Sequence, residues 1–598
     1  MPGQLFTSYF LEEGILHTGA WQESQNSDLD SFRAEALALL EKAANFHSIN
    51  EATTEQELIR PMFELLGWSD YLPQQGSDHN EEIPDHLLFG DTESKNRASA
   101  KPAPQRYPDA LAVAESKRFG LPLDARAKHG KASSPHAQLL RYLAAADINS
   151  DGRIRWGILT NGRIWRLYDR RALPRASGYY EVDLDAIVRL DDSHGIRAFR
   201  LLFGRPAFSP QHGAQTSFLE DALAEGRRYE EQVASDLSGA VFDKVYPALI
   251  RVLADKSGAE LENVRQAALI FLYRLLFLLY AEDRDLLPVN DDGYARYGMR
   301  KPIRDHIHKD MTDGRAFSES AASYHNHIAT LCDLIDKGDN SIGLPPYNGG
   351  LFSAGVAPIL QHVRLPDSEL GPIIYDLSHT ESDEGRRYVN YRDMTVQQLG
   401  SIYERLLERE PVRTPDGQIV VRPNSYARKD SGSFYTPQPL VDLIVERTLT
   451  PLLEERKAAF QAKTAALQSD TRARAVRLAE LRRLDPAEAA LNLKLLDPAM
   501  GSGHFLVTAV DYLSDAIADL VEYAPTTAPW LEDTYTSPLL ERIAAIRADI
   551  LARAHAANWV IDEAQLTDQA IIRRMVLKRC IYGVDKNPLT VELAKVSL

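Results

Sequence analysis

The stretch KLLDPAMGSGHFLVTAVDYL, residues 494–513, decides how this chain is read. Leu495 and Leu496 predict the end of a buried strand, and Asp497-Pro498 takes the chain off the strand edge. Gly501 and Gly503 come next. Lacking a Cβ, they let backbone come close to a ligand. Phe505, Leu506, Ala509 and Val510 then begin a helix with an apolar face. A strand, a glycine turn and a helix N-terminus together form the ligand crevice of a doubly wound sheet. The turn has neither the spacing of a dinucleotide fingerprint nor the Lys-Ser/Thr ending of a phosphate loop, which argues against triphosphate binding.

Two flanking segments share this logic. Downstream, RCIYGVDKNPLTVELAKVSL (579–598) predicts a second strand, CIYGVD, ending in Asp585. A carboxylate at the C-terminal end of a strand can accept hydrogen bonds from two ribose hydroxyls. Pro588 then opens another helix. Upstream, GSFYTPQPLVDLIV (432–445) places the aromatic pair Phe434-Tyr435 and Thr436-Pro437 just before a helix. In this order the three segments resemble the γ-type amino-methyltransferases that modify adenine N6 in DNA. The resemblance implies a Rossmann-like domain with S-adenosylmethionine (SAM) as cofactor. Phe434, Tyr435, Thr436 and Pro437 would pack on its methionine end. Asp497, Pro498, Gly501, Gly503 and Phe505 would form the glycine loop, and Asp585 would hold the ribose.

That family also carries an Asn/Asp-Pro-Pro-Tyr/Phe tetrapeptide that grips the flipped base after the ribose motif. No such tetrapeptide occurs between Asp585 and Leu598. Pro345-Pro346-Tyr347 is preceded by Leu344, which has no side-chain acceptor, and it lies ahead of the first cofactor motif. It reads as a Pro-rich turn. No methyl-transfer catalytic residue is therefore named. The expectation is a methyltransferase domain incomplete at its C-terminus. A C-terminal segment or a second chain would supply the catalytic motif and target recognition.

A second constellation lies near the N-terminus. IPDHLLF (83–89) predicts a short strand carrying Asp85, and ALAVAESK (110–117) a strand ending in Glu115-Ser116-Lys117. This is a PD-(D/E)xK pattern. Asp85 and Glu115 would bind Mg²⁺ through hard oxygen ligands, and Lys117 would orient or activate the attacking water. Glu57, on the preceding helix, is a candidate auxiliary carboxylate. Pro108-Asp109 also reads as PD, but Asp85 is preferred because two adjacent strands must each deliver a carboxylate. Gln138 and Tyr142, four apart, share a helix face. RWGILTN (155–161) and RIWRLYD (163–169) predict a hairpin through Asn161-Gly162. A Gln-x-x-x-Tyr helix after the ExK strand, with this hairpin, resembles the nuclease domain of type I restriction subunits.

Composition frames both regions. The chain has 598 residues, too many for one core. Its two cysteines, Cys332 and Cys580, form no CxxC, which argues against a zinc site or disulfide scaffold and suits the cytoplasm. No signal peptide is read at the N-terminus, and the most apolar run, 267–281, is short for a membrane span and interrupted by Arg274, so no membrane partner is expected. Net charge is -17, which disfavours coating nucleic acid by charge. Between Asp91 and Arg175, however, Lys and Arg outnumber Asp and Glu roughly two to one, enough for a local phosphate-facing surface.

The expected architecture is multidomain α/β. Residues 1–30 give little signal, 31–180 read as the nuclease-like domain, and 181–215 as a linker. Residues 216–425 read as a helical connector and 426–598 as the SAM-binding part. Residues 98–107 read as a loop, and 452–484 as a long helix or helix pair. This order resembles type IIG restriction-modification enzymes and the large adenine methyltransferases of phage-defence systems. It implies a site-specific methyltransferase fused to a Mg²⁺-dependent nuclease, acting on double-stranded DNA. The alternatives are a methyltransferase whose N-terminal domain only binds DNA, and a non-catalytic SAM- and DNA-binding subunit that needs a partner chain.

Overall fold

The computed structural model describes residues 3–598 apart from 25, 45–49, 74–82, 125–133, 173, 176, 212, 348–349, 383–384, 425–435 and 532–534. The protein is mixed α/β and mostly helical. It forms two compact units, one of residues 1–228, 455–489 and 515–540, the other of 229–454, 490–514 and 541–598.

The first unit is built on a six-stranded sheet in sequential order: β1 (Tyr71–Pro73), β2 (His86–Leu88), β3 (Ala112–Ser116), β4 (Trp156–Thr160), β5 (Ile164–Asp169) and β6 (Tyr179–Asp183). Only β3 and β4 run parallel, with Glu115 opposite Leu159. Parallel neighbours need a long crossover, and helix α3 (Pro135–Asn149) supplies it. Strands β4 and β5 form the predicted hairpin, with Gly162 at φ 82° in the turn.

Alternation of side chains across the pleat assigns the faces. Ala112 and Ala114 point into one core with Trp156, Ile158, Trp165 and Leu167. Val113 points into the other with Leu139, Leu143 and Leu159, beneath α3. Glu115 has the parity of Val113 and so lies on the α3 side. The first core is closed by α1 (Asn26–Ala44), by α2 (residues 51–65) and by α4 (Ser193–Phe203).

Several segments set apart by sequence are integral to this unit. In residues 1–30, Phe6, Phe10 and Ile15 are buried in the first core, and Leu5 N–H donates to Tyr179 O at 3.2 Å along β6. The expected linker at 181–215 contributes Ile196, Phe199, Leu202 and Phe203 to the same core. Burying side chains of this size stabilises by about 1.5–3 kcal/mol each, so these residues are structure rather than tether. The expected loop at 98–107 is partly ordered as the end of a helix (Thr92–Ser99) and a 3-10 turn (Ala103–Asp109). Residues 455–489 and 515–540 add a small core around Phe460, Leu481, Leu531 and Tyr535. Arg141 of α3 pairs with Glu522 at 2.9 Å.

The second unit is centred on α5 (Leu261–Asp283), which contains the most apolar stretch of the chain. It is the one helix among the described residues long and apolar enough to cross a membrane, and 83% of its apolar window is buried within the protein. Arg274 interrupts it with its donors met by backbone: its guanidinium donates to Leu351 O at 2.8 Å and Ser353 O at 3.0 Å. Two hairpins, β7–β8 (His379–Ser382, Gly385–Tyr388) and β9–β10 (Arg409–Arg413, Ile419–Pro423), flank α6 (Val396–Leu407). Helix α6 starts at a capping box in which Thr395 and Gln398 satisfy each other's backbone N–H. The glycine-turn segment lies in this unit. Its strand β11 (Leu495–Asp497) pairs in parallel with β12 (Ile581–Gly583). Among the described residues these two strands form a sheet of their own. Helices α7 (Gln438–Gln468) and α8 (His504–Thr527) begin here, and α9 (Asp568–Arg579) and α10 (Pro588–Ser597) flank β12. Helix α7 and a following helix (Arg474–Arg482) form the pair expected over 452–484.

Candidate functional site

Two sites emerge, one in each unit. In the first, the strand ends bring Asp85, Glu115 and Lys117 together. Asp85 precedes β2 rather than lying within it, and its Oδ2 accepts from Ser116 N–H at 2.8 Å. Glu115 Oε2 accepts from Asp85 N–H at 3.2 Å, and its Oε1 accepts from Lys117 Nζ at 2.6 Å. Glu115 is 1% exposed. Burial, together with the Asp85 charge, pushes its carboxyl well above the usual carboxylate range. Burial also raises Asp85, with Lys117 opposing. Burial by itself would lower Lys117, but Glu115, Asp85 and Glu51 outweigh it and hold the ammonium firmly charged.

Asp109 sits elsewhere. It precedes β3, at the end opposite Glu115, and is engaged by Lys101 at 2.5 Å and Arg97 at 3.4 Å. Gln138 Nε2 donates to Tyr142 OH at 2.6 Å. Burial and then the Glu115 charge push the Tyr142 phenol up to about 12. The face occupied by α3 thus brings this residue within electrostatic reach of Glu115.

Glu57 requires a correction. It is paired with Lys42 at 2.5 Å on the outside of α2. The carboxylates of that helix that face the site are Glu51, 3.4 Å from Lys117 Nζ, and Glu55, whose charge also acts on Asp85. Glu51 and Glu55 are four apart and share a face, whereas Glu57, two residues beyond Glu55, lies on roughly the opposite side of the helix. That spacing was the signal available in the sequence.

Among the described residues no group of three or more His, Cys, Asp and Glu is arranged to hold a metal ion. Asp85 and Glu115 offer two carboxylates whose mutual repulsion a divalent cation would relieve, so the donor chemistry suits Mg²⁺.

The second site is the turn after β11. Val584 N–H donates to Asp497 O at 2.9 Å, and Met500 N–H to Val584 O at 3.0 Å, which ties the turn to the end of β12. Gly501 and Gly503 adopt φ of 56° and 89°, the region that favours glycine. Asp497 Oδ1 accepts from Ala499 N–H at 3.0 Å. Asp585 follows β12 rather than ending it, and its Oδ2 accepts from Gly501 N–H at 3.0 Å. Its Oδ1 accepts from Asn587 N–H at 2.8 Å. Each oxygen keeps a further lone pair, so the carboxylate retains capacity for hydroxyl donors. Pro498 lies in the turn, and Phe505 is the second residue of α8.

Thr436 and Pro437 immediately precede α7. The start of that helix is held to the turn through Gln438, whose Oε1 is 2.5 Å from His504 Nε2. Burial lowers the His504 pKa, against the opposing charges of Glu404 and Asp442. Phe434 and Tyr435 lie outside the described residues. Pro345 to Tyr347 form irregular chain, with Tyr347 OH donating to Leu286 O at 2.9 Å.

One participant escaped the sequence reading. Glu404 of α6 accepts at Oε1 from Ser502 N–H at 3.0 Å and Ser502 Oγ at 2.7 Å. The two consecutive amides of Gly501 and Ser502, which a phosphate loop would turn toward an anion, are thus both met by carboxylates. The turn therefore disfavours phosphate.

Among curated proteins, the chain is similar to a protein of Methanocaldococcus jannaschii provisionally named type II restriction enzyme and methyltransferase. The two are 24% identical over 290 residues, covering 44% of this chain and 21% of that protein. The chain thus spans about a fifth of the length of that relative. No protein-family profile matches the chain, and no solved structure does.

Proposed function

We propose that this chain carries the cofactor-binding part of a SAM-dependent adenine-N6 DNA methyltransferase together with a Mg²⁺-dependent restriction nuclease. The observation that carries the reading is the joining of two parallel strand ends through Gly501 and Asp585. A glycine turn with positive φ beside a strand-end carboxylate suits a nucleoside whose ribose is gripped by hydrogen bonds. Carboxylates on the turn amides favour a cationic cofactor over a phosphorylated one. The name of the archaeal relative supports the same pairing of activities.

When bound, SAM would supply an electrophilic methyl group. Asp585 would hold the ribose hydroxyls, the turn from Asp497 to Gly503 would admit the cofactor backbone-first, and Thr436 and Pro437 would flank the methionine end. The groups that grip adenine would come from a further segment or a second chain. The exposed apolar face of the strand pair supports this: Leu496 and Tyr582, register partners, are 60% and 47% exposed, and Val584 is 56% exposed. Parallel strands are ordinarily covered on both faces.

In the other unit, Asp85 and Glu115 would hold Mg²⁺, which supplies charge neutralisation and a more acidic bound water. Lys117 holds Glu115 in place and provides a fixed positive charge beside it. Double-stranded DNA is the proposed substrate of both activities.

Calorimetric titration with SAM tests the first half. Wild type should bind, and Asp585→Ala should weaken binding about tenfold or more. No heat of binding at millimolar SAM would overturn it. For the second half, Mg²⁺-dependent cutting of unmethylated DNA should vanish in Glu115→Ala. Unchanged cutting would remove the nuclease from the proposal.

A further inference from the structure

The Glu404 contact goes beyond fixing the loop. The carboxylate reaches the turn from α6, in a part of the chain that the motif reading left as connector. Its Oε1 takes both the N–H and the hydroxyl of Ser502. Its Oε2 has no hydrogen-bond partner among the described residues, and the side chain is half-buried, so it remains reachable from solvent. Helix and turn are shaped to each other at this point. A Cβ on Gly501 would lie 2.9 Å from Glu404 Oε1, and a Cβ on Gly400, one helical turn before Glu404, would lie 3.2 Å from Ser502 Oγ. Both positions are glycine, and the approach depends on it.

Charge narrows the ligand. The side chains hydrogen-bonded to the turn amides are Asp497, Asp585 and Glu404, all carboxylates, while burial disfavours a charged His504 ring. Asp585 sits at the strand end, where a ribose is held. The second carboxylate, one residue further along the turn, then faces the part of the ligand beyond the sugar. In an amino-acid-bearing nucleoside that part ends in an α-ammonium, a donor of charge-assisted hydrogen bonds to a carboxylate.

We propose that Glu404 is the seat of the α-ammonium of the cofactor's amino-acid arm, with Oε1 anchored by Ser502 and Oε2 accepting from the ligand. This rests on the SAM reading and adds a binding residue to it. It makes α6 part of the cofactor site, so that cofactor binding and the packing of α6 are coupled.

The test compares two probes by calorimetry: S-adenosylhomocysteine, which carries the amino-acid arm, and 5′-methylthioadenosine, which lacks it. In Glu404→Gln, which keeps the acceptor for Ser502 but removes the charge, affinity for S-adenosylhomocysteine should fall about tenfold or more, while that for 5′-methylthioadenosine stays as in wild type. Retained 5′-methylthioadenosine binding also shows that the variant is folded. Equal loss for both probes would mean that Glu404 only shapes the turn, and no loss for either would mean that it contributes nothing; both results overturn the assignment while the SAM reading stands. A wild-type protein that binds neither probe overturns the SAM reading itself, and this assignment with it.

Discussion

The two candidate sites use the same chemistry, carboxylates at strand ends, in opposite surroundings. In the first unit, Glu115 is 1% exposed, on a sheet covered on both faces. In the second, Asp585 is half-buried beside a two-stranded sheet whose Leu496 and Tyr582 stand in the open. The difference teaches that surroundings decide what a carboxylate does. Buried and crowded, Asp85 and Glu115 are held protonated more readily and demand a cation, which Lys117 partly supplies. Half-exposed, Asp585 and Glu404 are free to organise backbone amides and still accept from a ligand.

The largest expected effect lies at the ion pair. Lys117→Met leaves buried carboxylates without their cation and should destabilise the first unit by about 3–5 kcal/mol near pH 8. Chemical denaturation followed by hydrogen exchange of the β3 and β4 amides measures it, and a loss below about 1 kcal/mol would place the site in water.

The pH dependence sharpens the same contrast. The raised Glu115 and Asp85 carboxyls mean that the folded unit keeps protons the unfolded chain has already lost above the ordinary carboxylate range. Stability should therefore fall as pH rises from about 5 to 8. The contribution of Lys117, raised above 10.5, is fully present throughout that window and does not alter the slope. Glu115→Gln should flatten the dependence, and Mg²⁺ should restore wild-type stability more at pH 8 than at pH 5. A wild-type stability that climbs over this range would contradict the burial argument.

A smaller effect is expected at the turn. Gly501→Ala places a side chain at φ 56°, which costs about 1–2 kcal/mol, and it crowds Glu404 as well. Urea titration should register the loss in the second unit, together with weakened SAM binding. Smallest of all, Glu57→Ala breaks an exposed pair with Lys42 and should change stability by less than about 0.5 kcal/mol. On the nuclease proposal it should leave DNA cutting intact, whereas Glu51→Ala, facing Lys117, should slow it.

Much of the local structure was legible in the residues. The hairpin at Asn161-Gly162, the strand carrying Glu115 and the glycine turn follow from alternation and turn chemistry, which act over a few residues. The burial of α5 was legible too, because an apolar run with one arginine is cheaper inside a protein than in lipid. Residues 1–30, which give little signal, and 181–215, expected as a linker, carry apolar residues whose partners lie far away in the sequence. Phe6, Phe10, Phe199 and Phe203 declare themselves only when the sheet is there to receive them.

By itself the sequence determined the order of motifs, the strand that carries Glu115, the short strand beside Asp85, and the turn between Asp497 and Phe505. Only the tertiary structure decided which acids meet. It excluded Glu57, turned Glu51 toward Lys117 and Glu55 toward Asp85, and delivered Glu404 to Ser502 across 98 residues of chain. The reason is physical: helix and strand periods fix the face a residue occupies, while the partner of that face is chosen by packing between segments distant in sequence.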